Sequence, residues 1–207
     1  MATAVKICGI TRVEDALVAA RAGAHAIGVV FAPASPRLVD AEAAAGIVRA
    51  LPPFVTAVAL FVDPEPAQVR AVIDRVRPQV LQFHGGEKPD FCAAFGLPFL
   101  KAVRVRAGVD LLQYGRLYGA AKGLLLDAFV EGNPGGTGAV FDWSLIPRDF
   151  PLPLVLAGGL HAGNVGEAVR RVRPWAVDVS SGVEASKGIK DAAKVAAFIR
   201  GVRDADV

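Results

Sequence analysis

A chain of 207 residues that is 53% hydrophobic, with a mean hydropathy of +0.43, can bury a substantial core as one domain, residues 1–207, with strands covered on both faces. Its net charge of +3 does not point to nucleic acid, because the arginines (Arg70, Arg75 and Arg77; Arg170, Arg171 and Arg173) lie on helix faces with no interleaved aromatic platforms. No apolar run is long enough to span a bilayer and residues 1–12 lack the cleavage region of a signal peptide, so a cytoplasmic protein with neither membrane nor nucleic-acid partner is expected.

Strand and helix signals alternate along the chain. Ala4 to Cys8 predicts a first strand, and Val13 to Ala22 a helix stopped by Gly23. Ala26 to Phe31 is a second strand, followed by a Pro33–Pro36 loop and an alanine-rich helix from Asp40 to Ala50. Thr56 to Val62 and a helix from Pro66 to Val76 make the third unit, with proline suited to the first helical turn. Val80 to Phe83 and a short helix at Pro89 to Phe95 make the fourth; Phe99 to Val103 and a helix near Val109 to Tyr118 make the fifth. Gly123 to Leu126 ends on Asp127, before a glycine-rich loop from Ala128 to Val140 and a weak helix opening at Asp142. Two apolar runs, Leu154 to Ala157 and Trp175 to Val179, break at Gly158-Gly159 and at Ser180-Ser181-Gly182, each break is expected to lead into a helix-like stretch, and Asp191 to Val202 closes the chain as a helix. Eight strand–helix units point to an α/β fold, a single-domain (β/α)8 TIM barrel. The tetrapeptide Arg-Val-Arg-Pro precedes both the fourth strand, at 75–78, and the eighth, at 171–174.

A parallel barrel builds its site at the C-terminal strand ends, where Cys8, Arg37, His84, Asp127, Gly158, Gly159, Asp178, Ser180, Ser181 and Gly182 fall. Bare backbone amides on glycine and serine turns at the seventh and eighth strands suit a phosphate dianion. A thiol, a carboxyl, a guanidinium and that cradle together can move protons on a phosphorylated substrate that also carries a carboxylate. An isolated cysteine in an apolar run is usually an inert core residue. Cys8 differs in closing a strand ahead of Gly9, with Lys6 two residues back on the same side, where an ammonium would lower the thiol below its ordinary value of about 8.5. Cys92 sits within a helix and reads as inert. From spacing alone Asp127 reads equally as a turn cap or a catalytic acid, and His84 as a ligand contact or a structural histidine. Asp142 reads as a helix cap, and Asp178 as a partner for Lys6 inside the barrel. No metal-ligand spacing occurs among histidines, cysteines and carboxylates.

Taken in order, Lys6-Ile7-Cys8-Gly9-Ile10-Thr11, Ser35-Pro36-Arg37, Gln82-Phe83-His84-Gly85, Leu126-Asp127, Gly135-Gly136-Thr137-Gly138, Phe141-Asp142-Trp143, Leu156-Ala157-Gly158-Gly159-Leu160 and Asp178-Val179-Ser180-Ser181-Gly182-Val183-Glu184 closely resemble the phosphoribosylanthranilate isomerases of tryptophan biosynthesis. The likeness runs from Val5 to about Lys194, with Phe83 where the family commonly has an aliphatic residue. The resemblance implies an Amadori rearrangement of N-(5-phosphoribosyl)anthranilate, with Asp127 as general acid, Cys8 as general base, Arg37 on the anthranilate carboxylate, and Gly158, Gly159, Ser180, Ser181 and Gly182 on the phosphate. It implies no cofactor and no metal, and a monomer or homodimer. The loop from Ala128 to Gly138 is expected to close over substrate. The nearest rival is the related isomerase of histidine biosynthesis, or a bifunctional enzyme accepting both substrates; the histidine type has an aspartate where this chain has Cys8, and its larger substrate carries two phosphates. For indole-glycerol-phosphate synthase the sequence offers no lysine–glutamate pair at the matching strand ends, for a phosphopentose epimerase it offers no metal cluster, and a barrel that only binds sugar phosphates, or a structural subunit of a biosynthetic complex, leaves Cys8 and Asp127 without a purpose.

Overall fold

Period-2 alternation along each strand has a direct consequence in a closed sheet: one parity faces the surrounding helices and the other faces the barrel axis. A computed structural model describes residues 2–106, 108–128, 141–147 and 149–206. Eight parallel strands form the closed barrel in sequence order: β1 (Ala4–Ile7), β2 (Ala26–Val30), β3 (Thr56–Phe61), β4 (Val80–Phe83), β5 (Phe99–Val105), β6 (Gly123–Ala128), β7 (Leu154–Leu156) and β8 (Ala176–Val179). The helices are α1 (Val13–Ala22), α2 (Ala41–Arg49), α3 (Pro66–Val76), α4 (Pro89–Ala93), α5 (Leu111–Leu117), α6 (Val165–Val172) and α7 (Ala192–Arg203). Ile7, Ile27, Phe61, Phe83, Leu124, Leu126 and Val177 point outward into the main apolar layer against Val69, Phe198 and Ile199 of the helices. The opposite parity fills the barrel: Ala102, Leu125, Val155 and Ala176 form a lower plug, and Cys8, Val30, Ala32 and Leu60 an upper one.

The strands were legible to within about two residues, and Asp127 lies inside β6 rather than beyond it. Three of the helices, α2, α5 and α7, start on a side-chain cap: Asp40, Asp110 and Asp191 accept from the amides of Ala43, Gln113 and Lys194 at 2.7, 2.9 and 3.0 Å. Both Arg-Val-Arg-Pro segments do the same job. Each ends a helix with an arginine in the left-handed region, Arg77 at φ 55° and Arg173 at φ 50°, and the following proline prevents continuation.

Two expectations fail. The helix opening at Asp142 is only a 3-10 turn, Trp143–Leu145, which Asp142 caps through the amide of Ser144 at 2.9 Å. The break after β8 does not lead straight into a helix either. A 3-10 turn, Ser181–Val183, passes into an antiparallel hairpin, β9 (Glu184–Ser186) and β10 (Ile189–Lys190), before α7 begins. Its strands are three and two residues long, too short for alternation to register in the sequence. The glycine-rich loop expected to close over substrate, with its Gly135 to Gly138 motif, lies outside the described residues. Among the described residues no helix is long and apolar enough to cross a membrane.

Candidate active site

The inward parity of β1, β4, β6 and β8 carries Lys6 and Cys8, Gln82 and His84, Asp127, and Asp178 and Ser180 toward the mouth of the barrel. A cavity of about 230 Å³ opens there, lined by Cys8, Arg37, Gln82, His84, Asp127, Gly158, Gly159, Asp178, Ser180 and Ser181. Of the ten sequence-predicted residues only Gly182 is not part of this lining; it lies behind, pressed against the carbonyl of Leu160, where a side chain would not fit.

Lys6 and Asp178 face each other in register across the β1–β8 seam, and their side chains pair at 3.0 Å. Burial alone would lower the Lys6 ammonium; the charges of Asp178 and Cys8 outweigh it and hold it above its ordinary value. The same shared parity puts Lys6 beside Cys8, and both lie so close to the backbone of Gly28 that a Cβ there would meet the Cys8 sulfur and Lys6 Nζ at 2.8 and 3.1 Å. Lys6 does pull the thiol down, but the expectation of a net lowered thiol fails. Cys8 is only 6% exposed, and burial, with the charge of Asp178 added, outweighs Lys6 and holds the thiol above its ordinary value. Cys92 is fully buried in the helical layer, where its sulfur approaches the carbonyl of Glu87 at 3.9 Å and burial pushes its thiol up to about 12. Its inert reading fits.

Asp127 is held on two sides. Its Oδ1 accepts from the amide of Ala128 at 2.9 Å, and its Oδ2 lies 3.1 Å from His84 Nε2. The other ring nitrogen of His84, Nδ1, lies 3.2 Å from Nε2 of the fully buried Gln82. With the amide donating, His84 carries its proton on Nε2 and donates to Asp127. His84 is thus both a cavity residue and a hydrogen-bonded one, which spacing could not decide. Gly158, at φ +80°, has no room for a Cβ between Asp127 Oδ1 and the backbone of Ala128.

Behind this layer is a second polar group that sequence reasoning missed. Lys101, on the outward parity of β5, is 2% exposed and donates to Glu87 at 2.8 Å and to the carbonyl of Gly85 at 2.5 Å. Glu87 in turn accepts from the amides of Gly85 and Asp63 at 2.9 Å each. The pair pins the turn after β4 that presents His84. Lysine at an outward, apolar-parity position of a strand was the available signal.

The two turns of the cradle come from β7 and β8. Gly158 and Gly159 both have positive φ, 80° and 66°, and with Ser181 and Gly182 their amides donate to no acceptor among the described residues. Helix α6 starts only at Val165, so the cradle is made of bare turn amides rather than a helix terminus. Arg37 reaches the site from the loop after β2, where Ser35 Oγ accepts from its amide at 3.1 Å. Its path crosses Gly9, at φ +72°, where a Cβ would strike both Arg37 and Ser180 Oγ. Its Nε and Nη2 donate to Glu184 Oε1 and Oε2 at 2.7 and 2.8 Å, leaving the Nη1 edge of the fork open.

Comparison with known proteins identifies the family of the barrel. Residues 5–201 match the family model of N-(5'-phosphoribosyl)anthranilate (PRA) isomerase. The chain is similar to the N-(5'-phosphoribosyl)anthranilate isomerase of Nitrosospira multiformis, 61% identical over 202 residues that span 98% of this chain and 97% of that protein. A solved phosphoribosyl anthranilate isomerase in complex with reduced 1-(o-carboxyphenylamino)-1-deoxyribulose 5-phosphate is 41% identical, with a TM-score of 0.86 over 98% of this chain and 99% of that one. A structure of monomers generated from the dimeric phosphoribosylanthranilate isomerase of Thermotoga maritima is 39% identical with a TM-score of 0.87, covering the same shares. With the family model spanning nearly the whole barrel, the chain belongs to the N-(5'-phosphoribosyl)anthranilate isomerase family, the isomerases of tryptophan biosynthesis.

Proposed function

We propose that the protein converts N-(5-phosphoribosyl)anthranilate to 1-(2-carboxyphenylamino)-1-deoxyribulose 5-phosphate, with Asp127 as general acid and Cys8 as general base. The observation that carries this reading is that the thiol from β1 and the carboxyl from β6 open into one cavity beside the bare amides of Gly158, Gly159 and Ser181. Asp127 gives its proton to the furanose ring oxygen; the C1–O bond breaks as the anthranilate nitrogen forms a C1=N iminium. His84, donating to Asp127, stabilises the carboxylate left behind. The Cys8 thiolate then takes the C2 proton, and the C–H electron pair flows into the iminium to give an enolamine. Protonation at C1 and loss of the C2 hydroxyl proton complete the ketone. The iminium is the substrate's own electron sink, so the chemistry calls for no cofactor.

The fork of Arg37 matches the planar anthranilate carboxylate, and Gly158, Gly159, Ser180 and Ser181 hold the phosphate, with Gly182 keeping the two turns in contact. Asp178 acts here by holding Lys6 and lines the floor beneath the sugar. Arg37→Ala is expected to raise KM at least ~10-fold with a much smaller change in kcat, since it removes binding rather than proton transfer. An unchanged KM would exclude the carboxylate pairing. Of monomer and homodimer, the dimeric relative from Thermotoga maritima favours the homodimer, and the fully exposed Phe54 ahead of β3 is its candidate contact. Phe54→Asp should then sediment as a monomer where the wild type does not. The activity itself is tested by following the fluorescence of the anthranilate substrate: the signal falls with time in the wild type, and a purified, folded protein that leaves it constant overturns the reading.

A further inference from the structure

Glu184 and Lys190 are buried, charged and unused by the proton transfers above. Both lie on the β9–β10 hairpin, at 8% and 5% exposure. Glu184 accepts from Arg37 through both oxygens, and its Oε1 also accepts from Lys190 Nζ at 2.9 Å. Lys190 Nζ continues to the carbonyl and hydroxyl of Ser180, at 3.2 and 3.5 Å. One carboxylate therefore ties the arginine beside the carboxylate end of the site to the serine at its phosphate end.

We propose that Glu184 is a positioning residue that joins the Arg37 clamp to the phosphate cradle through Lys190, setting the spacing at which the substrate's two anionic ends are bound. This rests on the assignment of those two ends given above.

Three features support it. The contact to Arg37 uses the Nε–Nη2 edge, so Glu184 holds the guanidinium side-on while the Nη1 edge is left for a second carboxylate. The cluster contains two cations and one anion, so its net charge of one positive unit still favours an anionic ligand, while Glu184 keeps the cations from repelling one another. The hairpin is itself anchored: the amide of Lys190 donates to Asp15 at 3.0 Å, and Lys194 Nζ donates to the carbonyl of Glu184 at 2.8 Å. A carboxylate fixed at its own backbone can act as a rigid spacer. Burial alone would raise Glu184; the hydrogen bonds from Arg37 and Lys190 outweigh it and hold the carboxyl below its ordinary range, so it stays ionised at neutral pH.

Two competitive inhibitors probe the two ends separately: inorganic phosphate for the cradle, and anthranilate for the clamp. Glu184→Gln is expected to raise KM about 10-fold or more with kcat changed less than ~3-fold, and to weaken both inhibitors, because it loosens binding at both ends without moving Cys8 or Asp127. Lys190→Met should weaken phosphate and spare anthranilate. Should Glu184→Gln fold poorly with its unpaired ammonium, Glu184→Gln with Lys190→Met removes that charge and should still weaken anthranilate. Weakening of one inhibitor only by Glu184→Gln, a kcat loss at constant KM, or normal anthranilate inhibition in the folded double variant overturns the link alone. Unchanged anthranilate inhibition in Arg37→Ala, with Glu184 intact, overturns the assignment of the clamp and the proposal with it.

Discussion

Cys8→Ser is expected to lower kcat by at least ~10²-fold, the usual scale of general acid–base catalysis, while leaving the fold and substrate affinity nearly unchanged. Serine fills almost the same volume between Gly28, Val30 and Leu60, but its hydroxyl is far too weak an acid to supply an anionic base. The pH profile provides a second readout. Burial holds the Cys8 thiol above its ordinary value, so the free enzyme carries a small thiolate fraction at neutral pH. That fraction grows as pH rises, so the kcat/KM profile should carry a thiol limb in the alkaline range, above the ordinary thiol value, and that limb should be absent in Cys8→Ser. Cys92, pushed up to about 12, does not contribute a competing limb in this range. Near-normal turnover in the serine variant would remove Cys8 from the mechanism.

Asp127→Asn should produce a loss of similar size, at least ~10²-fold in kcat, for a different reason. The amide keeps the shape of the carboxyl and an oxygen for the amide of Ala128, but it has no acidic proton to give to the ring oxygen. Without ring opening no iminium forms, and Cys8 has no acidified C2 proton to take. A reduced, open-chain product analogue has no ring to open, so it should bind the variant within about 3-fold of the wild type if the asparagine only removes the chemistry. Loss of analogue binding together with kcat would instead make Asp127 a binding residue. Turnover near the wild-type rate would remove it from the acid role.

Much of this site could be read before any coordinates, because a barrel turns chain position into spatial position. Once strands are recognised, parity selects which residues face the axis, and the strand ends select which of these reach the mouth. Cys8, His84, Asp127 and Ser180 follow from that rule alone, as does the pairing of Lys6 with Asp178 between adjacent strands. Glu184 was quoted only as part of a motif. Its partner Arg37 lies 147 residues away, and nothing local in a three-residue strand announces the contact. The Lys101–Glu87 pair escaped for a similar reason, because an outward parity in a barrel strand normally means an apolar side chain.

Local pattern determined the eight strands, most of the helices between them and the list of groups at the barrel mouth, since periodicity and turn chemistry act over a few residues of neighbouring chain. Only the folded arrangement decided the net direction of the Cys8 thiol, the state of His84 between Gln82 and Asp127, and the edge of Arg37 left open by Glu184. These depend on how far each charge is taken out of water and on which opposite charge then reaches it, and both are properties of contacts between segments far apart in the chain.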